Sequence, residues 1–395
     1  MAHSSIDPDT RRAIMDSVDR FCRDRLAPSA QAIDDAAVFP MELYKEFAAL
    51  GIFSLWVPEE DGGSGVDLVG PLKISERLAR HSIAFAISVS NCGDCIAPLV
   101  AAGGRHVKER YLDDIINGEI VPAFCLSEPA GGSDVAAMTT TARRDGSNYI
   151  LNGRKMWITS APVAGVFVVF AKTNPDAGHK GITAFVVPRD APGLSVGPTE
   201  RLLGLHSSPT AEVSFDNVVV PEEARLGDEG SGFRLAMVTM DEARVNIACC
   251  ALGAAAAAVE EAVRYSRERK QFGKPIIEHQ GLGFIVADLV TGLANVRALV
   301  SNAVQALESG RNRRPGIYAA MAKQAATDFA MDAAVKAAQV LGGYGLTRSY
   351  VTSRLIRDCK ALQIFEGTNE IQKWIISREI AKNGLDILEM DDLLP

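Results

Sequence analysis

Ala123-Phe-Cys-Leu-Ser-Glu-Pro-Ala-Gly-Gly-Ser-Asp134 stands where the periodicity of the chain changes. On its N-terminal side the pattern is helical. Asp9-Thr10 precede Ile14, Val18 and Phe21, spaced as one face of a helix. Pro40 opens a second helix carrying Leu43, Phe47 and Leu50, and Gly51 closes it. Beyond the turn residues Asp61-Gly62-Gly63-Ser64-Gly65, helical runs cover 74–89 and 111–116, the latter ending at Asn117-Gly118. On the C-terminal side the period becomes that of strands. Asp145-Gly146 is a hairpin dipeptide beside Tyr149 and Leu151, and 166–171, 182–187 and 213–220 are β-branched and aromatic runs between turn residues. From Phe233 helix returns, first as an alanine-rich segment over 240–272. A second segment carries Leu289, Leu293, Val296, Val300 and Leu307, and a third covers 317–341 and stops at Gly342-Gly343. Helices, then strands, then helices predict segregated domains: 1–122 helical, 123–232 β and 233–395 a helical bundle.

Composition limits the function. Of 395 residues, 47% are hydrophobic and 23% charged, which excludes disorder, collagen-like repeats and a disulfide scaffold, and the length implies two or three domains. Forty-one basic against 49 acidic residues give a net charge of −8, which argues against a nucleic acid partner but leaves room for a local basic cleft. Residues 1–12 carry no apolar signal-peptide core, and the most apolar stretch, 248–259, is short and mostly alanine. The expectation is a protein without membrane insertion, cytoplasmic or a mature mitochondrial matrix form. Seven cysteines suit a reducing compartment, and Cys92-Gly-Asp-Cys95 lacks the second pair a zinc site needs. We read it as two packing cysteines near a helix–loop junction. Six scattered histidines predict no metal. No G-x-G-x-x-G, P-loop or G-x-S-x-G motif is present, and Gly273-Lys274 is followed by Pro275. A Rossmann dehydrogenase, a P-loop NTPase and an α/β-hydrolase are therefore excluded.

Four specialised stretches remain: Ala123–Asp134, Lys155-Met-Trp-Ile-Thr-Ser160, Arg269-Lys-Gln-Phe-Gly-Lys-Pro-Ile276, and the region from Gln339-Val-Leu-Gly-Gly-Tyr-Gly345 to Ile364-Phe-Glu-Gly-Thr-Asn-Glu-Ile-Gln372. In this order and spacing they resemble the acyl-CoA dehydrogenase family over essentially the whole chain. Cys125–Asp134 resembles the family's first signature. Gln339–Tyr350, Arg357-Asp358 and Phe365–Glu370 resemble the second. The resemblance implies an α+β multidomain fold with an N-terminal helical domain, a middle β-barrel and a C-terminal four-helix bundle. It further implies FAD, a thioester of CoA or of an acyl carrier protein as substrate, an electron-transfer flavoprotein as partner, a homotetramer, and a place in fatty acid metabolism.

Removing a weakly acidic α proton needs a positioned base, and Glu366 matches the family's base. Ile364 and Phe365 give it an apolar setting that raises a carboxyl pKa. Some relatives keep the base just before the arginine of Met240-Asp-Glu-Ala-Arg244. Ala243 occupies that place and takes no proton, and Glu242 is turned about 100° away on a helix. By resemblance Ser127 and Thr159 lie at the polar edge of the isoalloxazine and Trp157 against its face. Phe124, Leu126, Gly132 and Ile158 belong to the same set, with Ser133 near a phosphate or pantetheine oxygen. Arg269 reaches a neighbouring subunit's FAD pyrophosphate, and Gln271 and Phe272 belong to the cofactor set. Gln280, Gln339, Gly342 and Gly343 line adenosine and pyrophosphate, and Thr368 and Glu370 complete the cofactor set. Ser133, Asp241, Arg244 and Gly367 match positions touching the acyl-CoA. The chain departs from the family at Leu346 and at Tyr350-Val-Thr-Ser-Arg354. Cys92, Asp94 and Cys95 fall where relatives shape the acyl pocket. The rival readings are a flavin oxidase or monooxygenase on the same fold, and a non-catalytic helical interaction protein.

Overall fold

The computed structural model describes residues 8–65, 69–309 and 315–388. The chain divides into two units: one holds the chain up to Pro71, Ile87–Leu202 and His206–Met240, the other Leu72–Ala86, Leu203–Leu205 and the chain from Asp241.

The first helix is longer than its apolar face predicts. α1 (Pro8–Phe21) runs through a π-helical turn, Cys22–Leu26, into α2 (Ala27–Ala36), which the left-handed Ala37 closes by donating its N–H to Ile33 and Asp34 carbonyls. α3 (Met41–Ala48) starts after Pro40, and Gly51 takes the left-handed conformation, as expected. The predicted run 74–89 is two helices, α4 (Val69–His81) and α5 (Ile83–Ala102), parted at Ser82, whose Oγ accepts the Phe85 N–H. Cys92 and Cys95 therefore lie inside α5, not at a helix–loop junction. Both are fully buried, and burial pushes Cys92 up to about 12, so they pack and do not react. α6 (Arg105–Ile116) ends at Asn117-Gly118 as predicted.

The β region forms one eight-stranded sheet. Its strands are β1 (Pro122–Cys125), β2 (Thr141–Asp145), β3 (Asn148–Thr159), β4 (Val166–Lys172), β5 (Ile182–Pro188), β6 (Leu194–Val196), β7 (Thr210–Pro221) and β8 (Arg225–Leu226). The order is β6-β7-β3-β2-β4-β5-β8, with β1 parallel on β4. The expected barrel does not close. The end strands β6 and β8 have three and two residues, too few to carry the staggered pairing that closure needs. Gly146 makes the β2–β3 turn with φ +62°. Tyr149, Leu151, Phe167, Phe185, Val213 and Phe215 fill the core, and β4 and β5 are buried along nearly their whole length, which is why they read as unbroken apolar runs.

Helix returns at α7 (Gly232–Glu268), which ends earlier than predicted because Lys270–Gln271 (β9) and Lys274–Pro275 (β10) form a small antiparallel ribbon. α8 (Gln280–Ser309), α9 (Pro315–Leu341), α10 (Thr352–Leu362) and α11 (Asn369–Asn383) follow, so the expected four-helix bundle becomes five described helices with α10 the shortest. By length and hydropathy alone α5, α7 and α8 reach what a membrane span needs, so the shortness of 248–259 is no criterion. The apolar windows of α5 and α7 are 83% and 89% buried in the protein itself. At Gly253 in α7 a Cβ would stand 2.1 Å from the Glu76 carbonyl oxygen, so two backbones meet where only hydrogen fits.

Gly253→Ala is therefore expected to destabilise by about 1–3 kcal/mol or more through overpacking. Gly281→Ala, with open space around its Cβ, is expected to be neutral or stabilising. Thermal unfolding of both variants checks the contrast.

Candidate active site

In the first unit a buried ion pair fixes a strand end. Lys155 is 0% exposed, and its Nζ donates to Glu128 Oε1 at 2.9 Å and to the Leu126 carbonyl at 3.1 Å. Glu128 also accepts the N–H groups of Thr139 (2.6 Å) and Thr140 (2.9 Å) and the Thr139 hydroxyl (2.7 Å). Burial would raise the Glu128 carboxyl, but Lys155 and these donors hold it at about 2. Burial lowers Lys155, against the pull of Glu128. The segment between is held as well, because the Ser127 carbonyl accepts the Met156 N–H at 2.9 Å.

Past this anchor the β3–β7 register shifts between Lys155 and Ile158, and Trp157 turns left-handed (φ +63°) with its indole 55% exposed. Ser127 and Thr159 are half-buried at the same strand end, and Gly132 and Ser133 are exposed in the adjoining loop. Three predicted cofactor residues turn their side chains elsewhere. Phe124 packs on Phe170 at 4.9 Å between ring centres, and Leu126 and Ile158 are buried, so they offer a ligand backbone only.

In the second unit Glu366 and Gly367 are consecutive left-handed residues, φ +54° and +84°, between α10 and α11. Gln372 Nε2 donates to both of their carbonyls, at 3.2 and 2.9 Å. Thr368 caps α11, its hydroxyl accepting the Ile371 N–H, and Glu370 is exposed in the first turn. Burial raises the Glu366 carboxyl, and Arg244 and Lys323 pull it back. Arg244 donates to Asp241 Oδ1 at 2.6 Å. Ala243 is buried and inert, as expected, but its neighbour Glu242 is pushed up to about 7 by burial and by Asp241.

A cavity of about 520 Å³ in the same unit brings together Arg269, Gln271, Gly342 and Gly343 with Tyr265 and Tyr344. Gln280 and Gln339 are exposed and lie outside its lining. Phe272, left-handed and 93% exposed, stands on the ribbon turn. Gly342 and Gly343 have open space where a Cβ would be, so bare backbone lines the same cavity as Arg269. That suits a diphosphate, and the exposed Trp157 indole suits a flat ring. The residues present therefore fit FAD. Sequence reasoning missed the supports: Glu128 with Lys155, and Lys323, Asn369 and Gln372. Their one signal was Lys323, a charge flanked by alanines in α9.

Comparisons with known proteins agree across the chain. The descriptions "Acyl-CoA dehydrogenase, N-terminal domain", "middle domain" and "C-terminal domain" match residues 8–119, 123–218 and 230–381. An acyl-CoA dehydrogenase of Bacillus subtilis (strain 168) is 42% identical over 91% of this chain and 94% of its own. Butyryl-CoA dehydrogenase from Megasphaera elsdenii superposes with a TM-score of 0.91 at 36% identity, covering 95% of this chain and 99% of that one. A chain from the structure of the electron transferring flavoprotein of Acidaminococcus fermentans gives 0.92 at 37% identity, covering 96% and 99%.

Lys155→Met, which leaves Glu128 buried without its cation, is expected to cost about 3–5 kcal/mol, read as an earlier thermal transition. Glu128 sits at about 2 in the folded protein against an ordinary 4.5. Its contribution is therefore fully present above the ordinary value and is lost as pH falls through that window. Acid titration of Glu128→Gln is expected to lack this component.

Proposed function

Because the chain belongs to the acyl-CoA dehydrogenase family, we propose that it oxidises an acyl-CoA thioester to the trans-2-enoyl thioester and passes the electrons to an electron-transfer flavoprotein. FAD, the family's cofactor, would supply the acceptor for the hydride of the β carbon. The observation that carries the reading is Glu366: a carboxylate in a strained turn, desolvated, with two cations beside it. It takes the α proton. The butyryl-CoA dehydrogenase likeness favours a short acyl chain, and a CoA rather than a carrier-protein thioester.

In this reading Ser127, Thr159 and Trp157 hold the flavin ring, with backbone from Phe124, Leu126, Gly132 and Ile158. Arg269, Gln271, Gly342 and Gly343 hold the diphosphate, and Phe272, Gln280, Gln339, Thr368 and Glu370 the remaining cofactor contacts. Ser133, Asp241, Arg244 and Gly367 orient the thioester. The chain acts as a homotetramer in the cytoplasm, in fatty acid metabolism, with sequence domains 1–122, 123–232 and 233–395. Arg269, beside bare glycine backbone, supports a cofactor shared between subunits.

The test is anaerobic bleaching of the flavin absorbance by butyryl-CoA. Glu366→Gln is expected to keep flavin and lose roughly 10²–10⁴-fold in bleaching rate, and wild-type bleaching in that variant would overturn the base. Since burial raises Glu366 and the base must be ionised, the rate is expected to rise with pH along a limb above the ordinary carboxylate range. Arg269→Ala is expected to lose FAD on gel filtration. Fast recovery of the absorbance in air with stoichiometric peroxide would instead identify an oxidase.

A further inference from the structure

α9 turns one face toward the loop that carries Glu366. Asp328 Oδ1 accepts from Gln363 Nε2 (2.6 Å) and Asn369 Nδ2 (2.7 Å), and Thr327 Oγ1 accepts from Asn369 Nδ2 (2.9 Å). One turn earlier comes Lys323, 0% exposed on a face it shares with Thr327 and with Ala319, Ala320, Ala326 and Ala330. Its Nζ donates at 2.9 Å to the Gly367 carbonyl and at 2.9 Å to Asn369 Oδ1. Both acceptors are neutral. An ammonium buried for the sake of two neutral oxygens carries a desolvation cost of several kcal/mol, which a neutral donor would avoid.

We propose that Lys323 is a positioning residue for the base: its ammonium clamps the left-handed Glu366–Gly367 turn through the Gly367 carbonyl and supplies the cation that faces the Glu366 carboxylate from α9. The proposal rests on the reading of Glu366 as the base.

Charge distribution around the turn supports the assignment. Glu366 is faced by Arg244 from α7 and by Lys323 from α9. Arg244 is already engaged with Asp241 at 2.6 Å. Lys323 in turn is faced by Glu366, by Arg244, by Asp328 on its own helix and by Glu370 on α11. Asp328 is satisfied by amides, and Glu370 is exposed. Of these three carboxylates Glu366 acts most strongly on Lys323. Burial draws Lys323 down to about 8, with Glu366 opposing, so it is mostly charged where the enzyme works at neutral pH. The clamp also has a geometric reason. Glu366 is not glycine, and a left-handed backbone there persists only when its surroundings over-determine it. Its carbonyl and the next are held by Gln372 from α11, and Lys323 adds the hold from α9.

Two substitutions separate clamp from charge. Lys323→Gln keeps an N–H donor and loses the charge. The acid limb of the flavin-bleaching rate with butyryl-CoA is expected to move about one pH unit or more upward, with the high-pH plateau near wild type. Lys323→Met loses both. The same shift is expected with a plateau lowered about 10²-fold, at little change in KM. A wild-type acid limb in Lys323→Gln, or a plateau loss matched by a rise in KM, overturns the proposal. Loss of flavin from both variants assigns Lys323 to the fold alone and overturns it equally. Glu366→Gln run beside them isolates the underlying reading: if that variant bleaches at the wild-type rate, it is the base assignment that fails.

Discussion

A carboxylate that takes a proton from carbon at neutral pH has to leave water without losing its charge altogether. In the proposed reading of Glu366 as that carboxylate, two opposed effects meet the requirement. Burial alone would protonate the group, and Arg244 and Lys323 restore the ionised form. Neither effect is useful alone: an exposed glutamate is too weak a base, and a buried unpaired one holds its proton. The surrounding structure follows from this balance. Arg244 needs Asp241 as a tether, and Lys323 needs the carbonyls of the loop it serves. The loop in turn needs Asn369 and Asp328 to keep those carbonyls in place.

The two units solve a similar problem in a similar way. In the first, Lys155 reaches the Leu126 carbonyl and so fixes the strand end before Ser127. In the second, Lys323 reaches the Gly367 carbonyl and fixes the turn after Glu366. Each lysine is completely buried, and each lies close in sequence or space to a left-handed residue that is not glycine, Trp157 or Glu366. A backbone in that region is strained by about 1–3 kcal/mol and relaxes unless held from several sides. A buried ammonium suits the role because its hydrogen bonds have no competing water, so its departure is costly. The pairs differ in one respect. Lys155 spends its charge on Glu128, whereas Lys323 has no carboxylate acceptor and its field falls on Glu366.

The helix–strand–helix order was legible because periodicity is local. The hairpin at Asp145-Gly146 and the buried strands β4 and β5 were readable for the same reason. Features set by distant partners were not. The π-helical turn at Cys22–Leu26 has no residue signature. Whether the sheet closes depends on pairing between strands of three and two residues, beyond what alternation can report. At the site the motif residues were legible and their supports were not. A lysine in an alanine-rich helix reads as a solvent-facing charge, and only the fold shows Lys323 turned inward onto Gly367.

Glu242 shows why proximity to neutral pKa does not by itself make a base. Burial and Asp241 push it up to about 7, a value a general base could use. Its neighbour in charge, however, is another carboxylate, so ionising it works against Asp241, which is itself raised by burial. Glu366 ionises toward two cations instead. The backbone distinguishes them as well. Glu242 is a residue of a continuous 37-residue helix, its direction set by α7 as a whole, while Glu366 sits in a left-handed turn gripped from α9 and α11. A turn held at its carbonyls can aim one side chain independently of the helices on either side. Under the proposed function the turn's geometry singles out Glu366, and the two cations favour its ionised form.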